Sequence, residues 1–306
     1  MRAYMQMLAA FLLSIGLLSS ANALDNASRD AVAEALQRDN YMQALQILRK
    51  LSDKGDLEAS AMAGYLYSEG PASIRDCTQA IPLVRKAADK GVARAQHNLG
   101  VMFENGICVT QSYTEAARWY EKAASQNHVG AMSNLATLYH AGQGVKEDPV
   151  KAVALLRKAA DLGDAIALSN LGMAYVNGTG VRADPAAGFG MLKKAATPDN
   201  PQLYFNLGVA YERGLGIPPN YPEALKCYRI AAEVGEPNAE VNLGMMLASG
   251  KGTAPDIPHG YMWIALSAEQ GNAFAKEKLD YFVTKASARQ VAEGRRLLAE
   301  YKRQHH

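Results

Sequence analysis

The sequence predicts an all-α chain of stacked helical hairpins, an α-solenoid, and three observations carry that prediction. Small residues recur at a fixed step of 36 in several registers, apolar residues inside each step fall at helical spacing, and glycine pairs and cap residues punctuate the helices. One register runs Gly64, Gly100, Gly172, Gly208, Gly244, with Ala136 filling its gap. A second runs Ala88, Ala124, Ala160, Ala196, Ala232, Ala268, and a third Gly70, Gly106, Gly142, Gly178, Gly214, Gly250. A fourth, Gly55, Gly91, Gly163, Gly235, Gly271, misses at Asn127 and Asp199. Four registers in agreement exclude coincidence.

Composition bounds the function. The chain has 306 residues, 49 % hydrophobic, with 32 Lys+Arg against 30 Asp+Glu and a net charge of +2. So even a balance argues against a nucleic-acid binder, which needs a basic excess, and against a charge-driven membrane clamp. Length alone predicts about two domains. The repeat replaces that estimate with a quasi-linear stack in which each unit contacts chiefly its neighbours.

The elements follow in order. Residues 1–23 read as a secretory signal peptide: Arg2, an apolar run from Met7 to Leu18, and Ser19-Ser20-Ala21-Asn22-Ala23 with small residues at the cleavage site. The run is too short to span a bilayer, no Cys follows that site, and no later stretch is apolar enough to span. The mature chain is therefore expected to be exported, to the periplasm or beyond, without a membrane span. Residues 24–58 are expected to form an N-terminal capping hairpin, 59–274 six repeats of 36 residues, and 275–306 C-terminal capping helices.

One unit shows why each repeat is two helices. Ala131, Leu135, Leu138 and Tyr139 make one apolar stripe, and Gly142 and Gly144 stop that helix with the freedom a C-cap and a tight turn need. Asp148 caps the next helix and Pro149 takes its tolerated first position. Ala152, Leu155, Leu156, Ala159 and Ala160 form the second stripe, and Gly163 ends it. Small residues such as Gly172 and Ala160 let neighbouring helices approach closely.

Residues 167–202 carry Ala167, Leu171, Gly172, Tyr175, Gly178, Gly180, Val181, Asp184, Lys194, Ala195 and Ala196. That pattern resembles the Sel1-like repeat, a relative of the tetratricopeptide repeat. Six units fit, beginning near 59, 95, 131, 167, 203 and 239. The resemblance implies a right-handed α-solenoid of stacked helical hairpins. Two departures stand out. The first unit has Gly70-Pro71-Ala72-Ser73-Ile74 for its turn, with Pro82 inside its second helix. The fourth ends in Thr197-Pro198-Asp199-Asn200-Pro201, after Gly188 and Gly190, which weaken a helix by about 1 kcal/mol each where exposed. A kink is expected around 186–202.

Chemistry is sparse. His97, His128, His140 and His259 hold unrelated positions in the repeat and are expected to be scattered on the surface. No H-E-x-x-H, phosphate-loop, S-x-x-K or G-x-S-x-G motif occurs. No cofactor, metal or catalytic residue is expected. Cys77 and Cys108 sit in loops between paired helices of adjacent units, where stacking can join them in a disulfide; the alternative is two thiols. Cys227 stands where other repeats have Leu83, Trp119, Leu155, Met191 and Trp263, so it reads as a core filler.

The tetratricopeptide likeness implies that first helices line a concave face, at positions 3, 7 and 10 of each unit. Position 7 gives Tyr65, Val101, Thr137, Met173, Val209 and Met245. Positions 3 and 10 add His97, Phe205, Val241, His140 and Glu212. These are the candidate partner-binding residues, more apolar towards the C-terminus. Position 4 is Asn98, Asn134, Asn170, Asn206 and Asn242, an amide ladder that can bond either a peptide main chain or the next repeat; the second reading is preferred. The resemblance implies a non-enzymatic periplasmic scaffold gripping a protein or peptide, such as a secreted effector, as an immunity protein does, or an envelope-assembly component. The alternative is a hydrolase of the cysteine-rich Sel1-like type, acting on β-lactam or cell-wall substrates.

Overall fold

A computed structural model describes residues 26–197 and 200–305; the expected signal peptide, and Pro198 and Asp199 of the fourth junction, lie outside the described residues. Among the described residues there are sixteen α-helices and no strand, the all-α hairpin class that the spacing predicts. The chain divides into two compact units after Leu155. The first holds α1 (Asn26–Gln37), α2 (Tyr41–Asp53), α3 (Leu57–Glu69), α4 (Cys77–Asp89), α5 (Ala93–Asn105), α6 (Tyr113–Ala124) and α7 (Val129–Ala141). Helix α8 (Pro149–Asp161) begins in the first unit and ends in the second. The second continues with α9 (Ala165–Asn177), α10 (Pro185–Ala195), α11 (Tyr204–Arg213), α12 (Tyr221–Glu233), α13 (Pro237–Ser249), α14 (Ile257–Glu269), α15 (Ala273–Lys285) and α16 (Ala288–His305).

Local chemistry sets the helix ends. Asp56 Oδ1 accepts from the Ala59 N–H at 2.9 Å, and Asp164 and Asn272 cap α9 and α15 in the same way. Gly142 closes α7 at φ 64°, a left-handed conformation that costs glycine little. In the first repeat Gly70 leaves α3 in an extended conformation, and Ile74 folds back into the core at 7 % exposure. Helix α4 runs unbroken through an exposed Pro82.

Five of the six repeat hairpins close where the first helix offers no side chain; in the remaining one Ala136 takes that place. Gly100 of α5 lies under the Tyr120 ring of α6, and a Cβ there would sit 2.5 Å from that ring. Gly208 and Tyr228 repeat the contact between α11 and α12. Elsewhere glycine meets glycine: Gly172 lies against Gly188 and Gly244 against Gly260, backbone to backbone. Gly188 is thus a packing residue rather than a weak spot, because its missing Cβ admits the Gly172 carbonyl; Gly190, with nothing within 4 Å of its Cβ position, is the one whose cost is not offset. At the fourth junction the chain leaves α10 extended at Ala196 and re-enters through a 3-10 turn, Pro201–Leu203.

The frame ends at Asp280, an exposed acid in the register of Gly208 and Gly244. Helix α16 packs instead across α14, with Gly294 against the Tyr261 ring and Tyr301 edge-on to Trp263 at 5.2 Å. Trp119 and Trp263 are both buried packing residues, as is Cys227 at 4 % exposure. Cys77, at the start of α4, and Cys108, beyond α5, form a disulfide with Cα atoms 5.1 Å apart.

Two measurements check this packing. Gly188→Ala should lower stability by about 1–3 kcal/mol through overpacking, whereas Gly190→Ala should raise it by about 1 kcal/mol, both read from urea midpoints. Denatured, non-reduced protein should show one titratable thiol, Cys227, and removing the disulfide should cost about 3–4 kcal/mol by loop closure; three thiols would contradict the bridge.

Candidate functional site

The first-helix positions named from the repeat frame divide between surface and core. In the first unit Thr137 and His140 are exposed and Tyr65 and Val101 half-buried. In the second, Met173, Phe205, Val209 and Met245 are half-buried. Val241 is different. At 1 % exposure it packs with Tyr261 and Ile264 and has no surface to offer, so it leaves the candidate site. An open apolar cleft of about 250 Å³ continues from Met245, lined by Ala248, Ser249, Ile257, Phe282, Lys285 and Ala286.

The asparagines bond mostly within the fold. Asn134 Nδ2 donates to the Tyr120 hydroxyl at 3.1 Å and lies 3.3 Å from His97 Nε2 of the preceding repeat. Asn206 Nδ2 donates to Ser169 Oγ, also one repeat back, at 3.0 Å. Asn242 lies beside the Tyr228 hydroxyl and Asn98 beside the His97 ring. Asn170 is exposed.

Repeat counting missed a polar network behind these positions. Tyr120 OH donates to Glu104 Oε2 at 2.5 Å, and Tyr228 OH donates to Glu212 Oε2 at 2.7 Å. Burial, then the adjacent carboxylate, pushes both phenols far above their usual range, so each remains a donor that fixes its glutamate. Glu212 also accepts from Lys251 Nζ at 3.0 Å. The signal was present in the sequence: Glu104, Tyr120 and Asn134 recur three repeats later as Glu212, Tyr228 and Asn242.

The histidines correct a second expectation. His97 and His128 are not scattered but stacked, with ring centroids 4.6 Å apart, and His97 also faces Tyr120 at 5.7 Å. Their spacing in the chain is not a repeat multiple, and the turn between α6 and α7 brings them together. His128 Nδ1 accepts from the Ala131 N–H at 3.2 Å, so it caps α7 only while that nitrogen is unprotonated. Desolvation lowers His97 to about 4; desolvation and then His97 itself lower His128 to about 3. In the second unit Glu240 is fully buried, held by Gln270 Nε2 at 2.8 and 3.0 Å, and burial raises it to about 7. Gln96 and Gln126 form the equivalent neutral pair in the first unit, at 2.8 Å.

A family model, the Sel1 repeat, matches residues 57–92, 93–128, 129–164, 165–197, 201–236 and 237–272. The chain belongs to the Sel1 repeat family. Among solved structures, c5321, a protective antigen of uropathogenic Escherichia coli with an SLR fold, is 34 % identical over 84 % of this chain with a TM-score of 0.65; the match spans 56 % of that protein. A Sel1 repeat protein from Oxalobacter formigenes is 28 % identical, covering 80 % of this chain and 97 % of its own, with a TM-score of 0.70. The immunity protein Pa5087 of Pseudomonas aeruginosa is 21 % identical, covering 70 % of this chain and 81 % of its own, with a TM-score of 0.49. None of the curated proteins matches the chain. Sel1 repeat folds are generally non-enzymatic protein-interaction scaffolds, and this chain is a Sel1-repeat protein-interaction scaffold. No helix among the described residues is long and apolar enough to cross a membrane.

The buried ionisable groups give opposite pH dependences. His97 and His128 bind fewer protons folded than unfolded, so their contribution is complete above the unfolded value near 6.5 and is lost as pH falls towards 4. Glu240 binds more protons folded, so stability is lost as pH rises from 4.5 through 7. Glu240→Gln, which recreates the Gln96–Gln126 pairing, should therefore stabilise the chain at pH 8, by on the order of 3 kcal/mol, and little at pH 4.5. His97→Gln should flatten the acid limb. Urea midpoints across pH 4.5–8 check both.

Proposed function

We infer that the mature chain is an exported, non-enzymatic scaffold of the bacterial envelope, which binds an extended segment of a partner protein along its first-helix faces. One observation carries the reading: in the second unit Met173, Phe205, Val209 and Met245, on successive first helices, are half-buried, and Met245 also lines the apolar cleft between α13, α14 and α15. Such a surface is costly to leave to water and marks an interaction site. Of the amides beside it Asn206 is used by the fold and only Asn170 is exposed, so side-chain contacts rather than a continuous amide ladder supply the grip.

Export is supported by the Cys77–Cys108 disulfide, since such bonds persist in oxidising compartments, and by the three-part N-terminal segment. A near-neutral surface leaves shape and apolar contact to select the partner, with little long-range steering. The partner is a secreted effector or a component of envelope assembly, and the two share this recognition chemistry.

Affinity capture from native envelope extract tests the reading. The wild-type chain should retain a defined partner, and Met173→Gln with Val209→Thr and Met245→Gln should reduce capture at least tenfold while thermal unfolding stays cooperative. Undiminished capture by that folded variant would remove the groove from the account.

A further inference from the structure

In the second unit the chain holds an ammonium group of its own. Glu212 Oε1 accepts from Lys251 Nζ at 3.0 Å, the same Nζ lies 4.5 Å over the Tyr221 ring, and Tyr228 OH fixes the other carboxylate oxygen. Backbone geometry puts the lysine there. Gly250 turns left-handed at φ 71°, the Lys251 N–H donates to the Met246 carbonyl at 2.9 Å, and Gly252 lies against the Tyr221 backbone, where a Cβ would sit 2.7 Å from the Tyr221 carbonyl carbon.

Every part of this arrangement except the lysine recurs three repeats earlier, inside the first unit. Glu104 takes the Tyr120 hydroxyl as Glu212 takes that of Tyr228. Tyr113 opens α6 as Tyr221 opens α12. Gly142 turns at φ 64°, the Gln143 N–H donates to the Leu138 carbonyl at 3.1 Å, and Gly144 packs on the Tyr113 backbone. Where Lys251 stands, the first unit has an exposed, uncharged Gln143. Among the described residues Glu104 has no ion pair, although Tyr120 holds its carboxylate in the geometry that binds a cation in the second unit.

We propose that Glu104 and Tyr113 form a receptor for a lysine side chain supplied by a bound protein, the role that Lys251 fills internally beside Glu212 and Tyr221. This rests on the groove reading above and adds a chemical requirement to it: the partner segment presents an ammonium group to the first unit. The carboxylate is already oriented, so binding orders only the incoming side chain, and the tyrosine face adds a cation–π contact. A neutral partner residue would leave Glu104 as no more than the acceptor for Tyr120.

The test uses the mature, oxidised chain and two synthetic peptides followed by NMR: acetyl-Ala-Leu-Lys-Leu-Ala-amide and its analogue with norleucine for Lys. The lysine peptide should bind roughly three- to tenfold more tightly, the range for one partly desolvated ion pair with an aromatic contact, with shifts centred on residues 104, 113 and 143. Glu104→Gln keeps an acceptor for Tyr120 and should erase the preference. Gln143→Lys should erase it too, by filling the receptor from within, and should raise the thermal midpoint in a manner lost in the double variant with Glu104→Gln. Equal binding of the two peptides, a preference that survives Glu104→Gln, or no binding of either would overturn the proposal. A native partner captured equally by wild type and Glu104→Gln leaves the groove standing and removes this receptor. A lysine preference without any captured partner does the reverse.

Discussion

Two helix backbones approach closely within a hairpin where one of them carries little or no side chain, and the architecture depends on that constraint being met by glycine in five of the six repeats and by Ala136 in the other. Gly100 and Gly208 meet it by receiving a tyrosine ring, Gly172 and Gly244 by receiving the backbone of a second glycine. A side chain at any of these points would push the second helix outward and separate the stripes that form the core. The same constraint explains the end of the array. Asp280 cannot receive a helix as a glycine does, and the last helix lies across α14 instead, where Gly294 provides the missing space over Tyr261.

The choice between tyrosine and glycine in this contact has chemical consequences. A tyrosine ring driven into the hairpin takes its hydroxyl out of water, and a buried hydroxyl needs a partner. Glu104 and Glu212 supply it from the first-helix face, so packing inside the hairpin orients a carboxylate on the surface where a partner would lie. The Gly172–Gly188 and Gly244–Gly260 hairpins have no such tyrosine, and their faces are apolar.

Much of the fold was legible in the sequence because its signals are local or periodic. Asp148 caps α8, with its Oδ1 accepting from the Lys151 N–H at 3.0 Å, and Gly142 ends α7 as its place before a turn requires. Cys108 was legible as a candidate partner for Cys77 because adjacent repeats stack in register, and the bond itself is a finding of the structure. The site was legible only in part. Val241 shares a register with Phe205, but its own repeat has Tyr261 where that of Phe205 has Leu225, and Val241 is buried in one cluster with that ring. His97 and His128 escaped notice because a frame of equivalent positions cannot reveal two non-equivalent positions that meet across a turn. Gly188 misled for a related reason: helix propensity measures the cost of a glycine, and only its neighbour shows what that glycine admits.

The sequence by itself determined the class of fold, the number of repeats and the caps, since each depends on spacing along one chain or on translation by one repeat, and it offered Cys77 and Cys108 as a pair that the structure then joins. Tertiary structure alone decided which residues of the first-helix face remain available, and which polar groups are used by the fold. Those outcomes turn on burial: Glu240 beside Gln270, His128 beneath His97 and Glu104 beneath Tyr120 owe their character to neighbours in space. Desolvation and hydrogen bonding act over a few ångströms in three dimensions, and a one-dimensional period cannot encode them.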